Sequence, residues 1–142
     1  MTYNQVINEL QTILGNHPMI TEVRYTTPLE WLNRDEVPKF PVACYMIDSG
    51  NYNLGKELIY TCQFWFLDKS GQEAEYETEV ISDQHGIAND IVNLLRKSKI
   101  FTIDDSISWT AISEKFEDYI SGINLTINIS SISQFDYCDY PS

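Results

Sequence analysis

The chain has 142 residues, 43% hydrophobic, 13% aromatic and 21% charged, with nine Lys and Arg against twenty-one Asp and Glu for a net charge of -12. That length reads as one domain over residues 1–142, able to bury roughly 70% of its unfolded surface, and the composition argues against extended disorder. The acidic balance excludes a surface built to grip DNA phosphates or an anionic membrane, since both would be repelled overall.

The first predicted element is a helix. Thr2 and Gln5 have capping-box spacing, and Val6, Ile7, Leu10, Ile13 and Leu14 share one helical face before Gly15, Asn16 and Pro18 stop it. A short strand is expected over Ile20 to Thr26, followed by an irregular stretch with Pro28, Trp31, Leu32, Pro38 and Pro41. Trp31 and Leu32 read either as a plug over the core or as an exposed apolar anchor. Val42 to Ile47 is almost wholly apolar and predicts a strand, after which Asp48, Ser49, Gly50 and Asn51 supply turn chemistry. Lys56 to Leu67 resumes as a strand in which Leu58, Tyr60, Cys62, Phe64 and Phe66 alternate with Ile59, Thr61, Gln63 and Trp65. Asn53 and Gly55 lie between, so the pair reads as a hairpin with a long tip.

A second helix is expected from about Ala74 to Lys97. Tyr76, Val80, Ile87, Ile91 and Leu94 form one stripe, widened by Ile81, Ala88 and Leu95. Glu73, Glu75, Glu77 and Glu79 crowd its start and Arg96, Lys97 and Lys99 its end, as the helix dipole favours. Gly86 suggests close packing or a bend. Ile107, Trp109 and Ala111 then alternate with Ser108 and Thr110, and a charged connection, Ser113 to Ser121, leads to a last strand over Gly122 to Gln134. The order helix, three strands, helix, two strands describes an α+β fold, with two helices on one face of a mainly antiparallel sheet.

No cluster announces a reaction. His17 and His85 each lack a partner at ligand spacing, the HExxH and CxxC patterns are missing, and Asp104–Asp105 reads as a turn more readily than as a cation site. Gly50 to Gly55 has no lysine-serine phosphate loop, there is no GxSxG elbow, and Cys44 sits in an apolar strand where a thiol is inert. Catalytic, cofactor and metal residues are therefore none. Cys44, Cys62 and Cys138 are widely spaced and odd in number, which reads as reduced thiols in a cytoplasmic product rather than a disulfide framework. The amphipathic start does not read as a secretory leader, and no apolar run approaches the roughly 18 residues of a membrane span.

The last strand carries the one unusual pattern. Ile123, Leu125, Ile127 and Ile129 alternate with Asn124, Thr126, Asn128 and Ser130, the period of a half-buried strand. Its polar side has no charge, although the chain is strongly acidic. A face meant only for water usually collects Lys and Glu, whereas neutral amides and hydroxyls desolvate at small cost. Asn124, Thr126, Asn128 and Ser130 are thus the candidate subunit interface. The tyrosines, among them Tyr45, Tyr52, Tyr60, Tyr119, Tyr137 and Tyr140, suit either an interface or an ordinary strand surface. The acidic aromatic tail from about residue 135, Phe-Asp-Tyr-Cys-Asp-Tyr, reads as a flexible arm that either reaches a neighbouring subunit or frays.

The element order resembles that of the small tail terminator (tail completion) proteins of tailed bacteriophages. So does the run Phe64-Trp65-Phe66-Leu67-Asp68, then an acidic segment, then Ser82-Asp83-Gln84-His85-Gly86-Ile87-Ala88-Asn89-Asp90-Ile91. The resemblance implies a virion structural protein, assembled in the host bacterial cytoplasm into a ring, commonly a hexamer. That ring caps the tail tube and joins it to the head-side connector, with genomic DNA passing through the lumen. Tail tube protein and neck proteins are then the partners, and no cofactor, membrane or enzymatic activity is expected. It also implies axial partner contacts by the hairpin tip, with Ser49, Asn51, Tyr52 and Asn53, and by the Trp31 to Lys39 loop. The alternatives are another neck or head–tail joining component, a small acidic binding or inhibitor protein, and an α+β domain with a ligand pocket.

Overall fold

The structure, a computed structural model, describes residues 3–28, 39–52, 57–69, 74–98, 101–104, 107–112 and 120–132. The expectations for Thr2, Trp31, Leu32, Asn53, Gly55, Asp105, most of the charged connection and the tail lie outside these residues. Helix α1 spans Tyr3–Gly15 and turns Val6, Leu10 and Leu14, one helical turn apart, fully into the interior. Ile7 and Ile13 pack beside them, partly buried. Helix α2 spans Ala74–Arg96 and buries Ile87, Ala88, Ile91 and Leu95.

Among the described residues, six strands form one sheet: β1 (Glu22–Tyr25), β2 (Val42–Tyr52), β3 (Glu57–Lys69), β4 (Thr102–Ile103), β5 (Ser108–Ile112) and β6 (Ile120–Ile132). The lateral order is β1-β2-β3-β6, with β4 and β5 both on the far side of β6. β1 runs parallel to β2 and the other pairings are antiparallel, so the fold is α+β as expected. β4, too short to show a period, was not foreseen.

Alternation decides what each face buries. On one face Ala43 and Tyr45 of β2, Cys62, Phe64 and Phe66 of β3, and Ile123, Leu125, Ile127 and Ile129 of β6 meet both helices in the main core. Tyr45 and Phe64 stack with centroids 6.3 Å apart, and Phe64 and Phe66 at 6.4 Å. Each such fully buried side chain stabilises the fold by roughly 1.5–3 kcal/mol relative to exposure. A smaller cluster lies on the opposite face at one end of the sheet: Val42, Cys44, Leu67, Ile112 and Ile120, flanked by Phe40 and Trp65.

Three sequence expectations are corrected. The turn placed at Asp48 to Asn51 is instead a bulge: Ile47 pairs with Cys62 and Ser49 with Thr61, so Asp48 is the extra residue and the strand runs on to Tyr52. Turn-type residues serve here because the strands approach closely; a Cβ on Gly50 would sit 2.5 Å from the Ile59 carbonyl oxygen. Leu94, assigned to the buried stripe, is 42% exposed, while Gln84 is buried, so the inward stripe is centred on Ile91 and Leu95. Gly86 marks no close packing, since a Cβ there would meet nothing within 4 Å.

Candidate assembly surface

The face of the sheet opposite the helices follows from strand register. One row across it reads Asn51, Ile59, Ser130 and Thr102, and the next Ser49, Thr61 and Asn128. Then come Met46, Gln63, Thr126 and Ser108, followed by Arg24, Cys44, Trp65, Asn124 and Thr110. In the last row, Glu22, Val42, Leu67, Gly122 and Ile112, the side chains of Val42, Leu67 and Ile112 belong to the small apolar cluster. The middle of this face is therefore a belt of amides and hydroxyls running across β3, β6 and β5. Asn124, Thr126, Asn128, Thr61 and Gln63 are half-buried, Ser130 is buried, and Ser108 and Thr110 are exposed.

Hydrogen bonds within the belt explain part of its neutrality. Thr61 Oγ1 donates to Asn128 Oδ1 at 2.9 Å, and Asn128 Nδ2 donates to Asp104 Oδ2 at 3.2 Å. Asn124 Nδ2 donates to the Phe64 carbonyl at 3.2 Å. Gln63 Nε2 donates to Asp48 Oδ2. The belt's carboxylates thus stand at its margins with a donor on each. On the outer strand the charges are matched, Arg24 Nε to Glu22 Oε1 at 3.0 Å. Sequence alternation placed Asn124, Thr126, Asn128 and Ser130 on one side correctly. Alternation cannot show that β6 is an interior strand, held by β3 on one flank and β4 and β5 on the other.

The other predicted positions separate. Ser49 and Asn51 are exposed within β2, on the same face as the belt. Tyr52 closes the strand opposite Leu58. Asn53 and Trp31 lie outside the described residues. Of the tyrosines, Tyr45 belongs to the core, its hydroxyl donating to Gln11 Oε1 at 2.7 Å. Burial pushes the Tyr45 phenol up to about 12. The Tyr3 and Tyr25 hydroxyls share a hydrogen bond of 2.5 Å, and the Ile47 N–H donates to Tyr25 Oη at 3.3 Å. The hydrogen bond between the two hydroxyls, with burial second, pushes the Tyr3 phenol up to about 12. These phenols fasten α1 to the β1–β2 edge.

The chemistry this arrangement can do is limited. Burial, with the Asp48 charge adding to it, pushes the Cys62 thiol up to about 12, where little thiolate forms. Cys44 is also buried and takes part in no disulfide. His17 is buried and bonded to Asp90 across α2, Nε2 to Oδ2 at 3.0 Å, while its Nδ1 accepts from the Met19 N–H at 3.1 Å. Among the described residues no three His, Cys, Asp or Glu side chains gather as a metal site, and no helix is long and apolar enough to cross a membrane. One feature escaped sequence reading. Trp109, grouped by alternation with Ile107 and Ala111, is 56% exposed and meets His85 edge-on at 5.1 Å, walling a cleft between α2 and β5. The alternation gave its side of the sheet; only the placement of α2 leaves that side open.

No model of a known protein family matches the chain, and no characterised protein matches it by sequence.

Proposed function

We propose that this chain is a structural assembly protein that closes into a homo-oligomeric ring, and that the ring caps a phage tail tube and joins it to the head-side connector. The observation carrying the assembly half is the uncharged belt across β3, β6 and β5 in a chain of net charge -12. Covering such a belt with a second protein surface buries neutral groups, of which Thr61, Gln63, Asn124 and Asn128 already hold partners, at far smaller cost than burying unpaired charge. The phage half rests on the resemblance in element order and in the stretches Phe64 to Asp68 and Ser82 to Ile91. The acidity supports it, because a lumen of like charge does not retain a transiting polyanion.

Electron microscopy and light scattering of the purified protein, alone and with tube protein, test this reading. Closed rings, hexameric on the family's pattern, are the expected result. A strict monomer under both conditions would overturn it. Asn128 holds both Thr61 and Asp104, so Asn128→Lys would disturb the sheet as well as its surface. Thr110→Lys is the cleaner probe, since Thr110 is exposed on β5 in the row of Asn124. It should leave the thermal midpoint within experimental scatter and shift the ring toward monomer; unchanged rings would remove the belt from the interface.

A further inference from the structure

The cleft between α2 and β5 has a character unlike the rest of this acidic molecule. Ala88, Val92, Ile107 and Leu125 line it with apolar surface, Trp109 and His85 stand at its wall, and Arg96 supplies a cation. Its volume is about 220 Å³. That is below the roughly 300–1,000 Å³ typical of small-molecule sites, and it suits one or two side chains of a peptide better than a whole cofactor. Three of the nine basic residues, Arg96, Lys97 and Lys99, fall within four positions at the end of α2. An apolar slot with an exposed indole and a local positive charge calls for an acidic segment carrying aromatic rings.

The chain itself contains such a segment, Phe135-Asp136-Tyr137-Cys138-Asp139-Tyr140. We propose that the cleft receives this segment from a second copy of the chain, rings against Trp109 and carboxylates against Arg96. Reach argues for the second copy. β6 runs away from the cleft, from Leu125 at its floor to Ile132 beside Glu57. Those seven residues span about 23 Å of strand, whereas the three residues from Ile132 to Phe135 extend at most about 10 Å. By the same measure Tyr137 extends at most about 18 Å from Ile132 and Tyr140 about 29 Å, so only the last residues of the segment can return to Leu125 of their own chain, whereas a neighbour's cleft can take the whole segment. The inference requires two copies in contact but neither a closed ring nor a phage tail.

Full-length chain carrying a benzophenone photo-crosslinking residue at Tyr137 tests it, prepared as an equal mixture of ¹⁴N and ¹⁵N protein. Irradiation followed by peptide mass spectrometry should give mixed-isotope cross-links to the segments holding His85 to Arg96 or Ile107 to Ile112. Trp109→Ala should lower their yield about tenfold, through the lost ring contact and its buried area. Arg96→Glu should lower it about two- to fivefold, the effect of a partly exposed ion pair, and Asp136→Lys with Asp139→Lys should restore it. Cross-links confined to a single isotope, or landing elsewhere, or unmoved by Trp109→Ala, would overturn the proposal. Rings that form without these cross-links would sink this contact and leave the proposed function standing. A cross-linked dimer without rings would do the reverse.

Discussion

On the helix side of the sheet, the near-parallel rings of Tyr45, Phe64 and Phe66 stack through the core with Ile123, Leu125, Ile127 and Ile129 beside them. On the other side, the same strands carry Thr61, Gln63, Asn124 and Asn128, bonded to one another, to a carbonyl or to a marginal carboxylate. The first face gains its stability from apolar area, so it tolerates loss of volume badly. The second gains little from area and keeps its polar groups satisfied, so it is free to meet another surface without first losing charge. A strand such as β6 serves both ends at once because consecutive residues belong to different faces.

The sharpest way to break that comparison is to remove volume from the covered face. Phe64 is fully buried between Tyr45 and Phe66, and Phe64→Ala should cost about 3–5 kcal/mol in denaturant unfolding. An effect as small as that of the surface variant Thr110→Lys would mean the two faces are not distinct. Gly122→Ala probes density at the apolar end of the open face. A Cβ there would fall 1.8 Å from the Phe66 carbonyl oxygen, so β3 and β6 must separate. A loss of about 1–3 kcal/mol or more is expected, with faster amide exchange in both strands near that row. Retained stability would show the strands can yield there.

The opposite sign is expected at Gly86, exposed on α2 with open space around it. Gly86→Ala should raise stability by about 1 kcal/mol, read as a higher denaturant midpoint at unchanged slope. The smallest effect is at Asp68, on β3 opposite Ser121. Burial holds its carboxyl above the ordinary carboxylate range, the Lys69 N–H opposes that, and the Asp83 charge adds to the rise. A folded pKa above the unfolded one means the native state holds the proton more tightly. The carboxyl's contribution is thus most favourable below the unfolded pKa and is lost as pH rises through the folded one. Asp68→Asn should therefore stabilise slightly near neutral pH, and the gain should vanish in acid. A gain independent of pH would assign the effect to something other than ionisation.

Elements with a long period were legible in the sequence: α1 from Val6, Leu10 and Leu14, β3 from the nine alternating residues Leu58 to Phe66, and β6 from Ile123 to Ser130. What failed to show was whatever depends on a distant partner. Asp48 looks like a turn until its strand is seen pairing past it with Thr61 to Leu58. Leu94 looks buried until α2 is set at its angle to the sheet, and β4 exists only because two residues find Ser130 and Ile129. The same limit governs the candidate surface. Neutrality along β6 could be read directly, but its extension through Thr61, Gln63, Ser108 and Thr110 is a matter of register, and register is set by pairing.

The His17 contact has a practical use. A backbone N–H can only donate, so the Nδ1 that accepts from Met19 carries no proton, and Nε2 holds the hydrogen it gives to Asp90. The ring is thereby fixed as a single tautomer for as long as the end of α1 stays beside α2. Its two nitrogens then have distinct ¹⁵N resonances, and the averaged pair of a tumbling imidazole would replace them once the helices part. The protein so carries an intrinsic spectroscopic gauge of its helical layer, independent of anything that docks on the far side of the sheet.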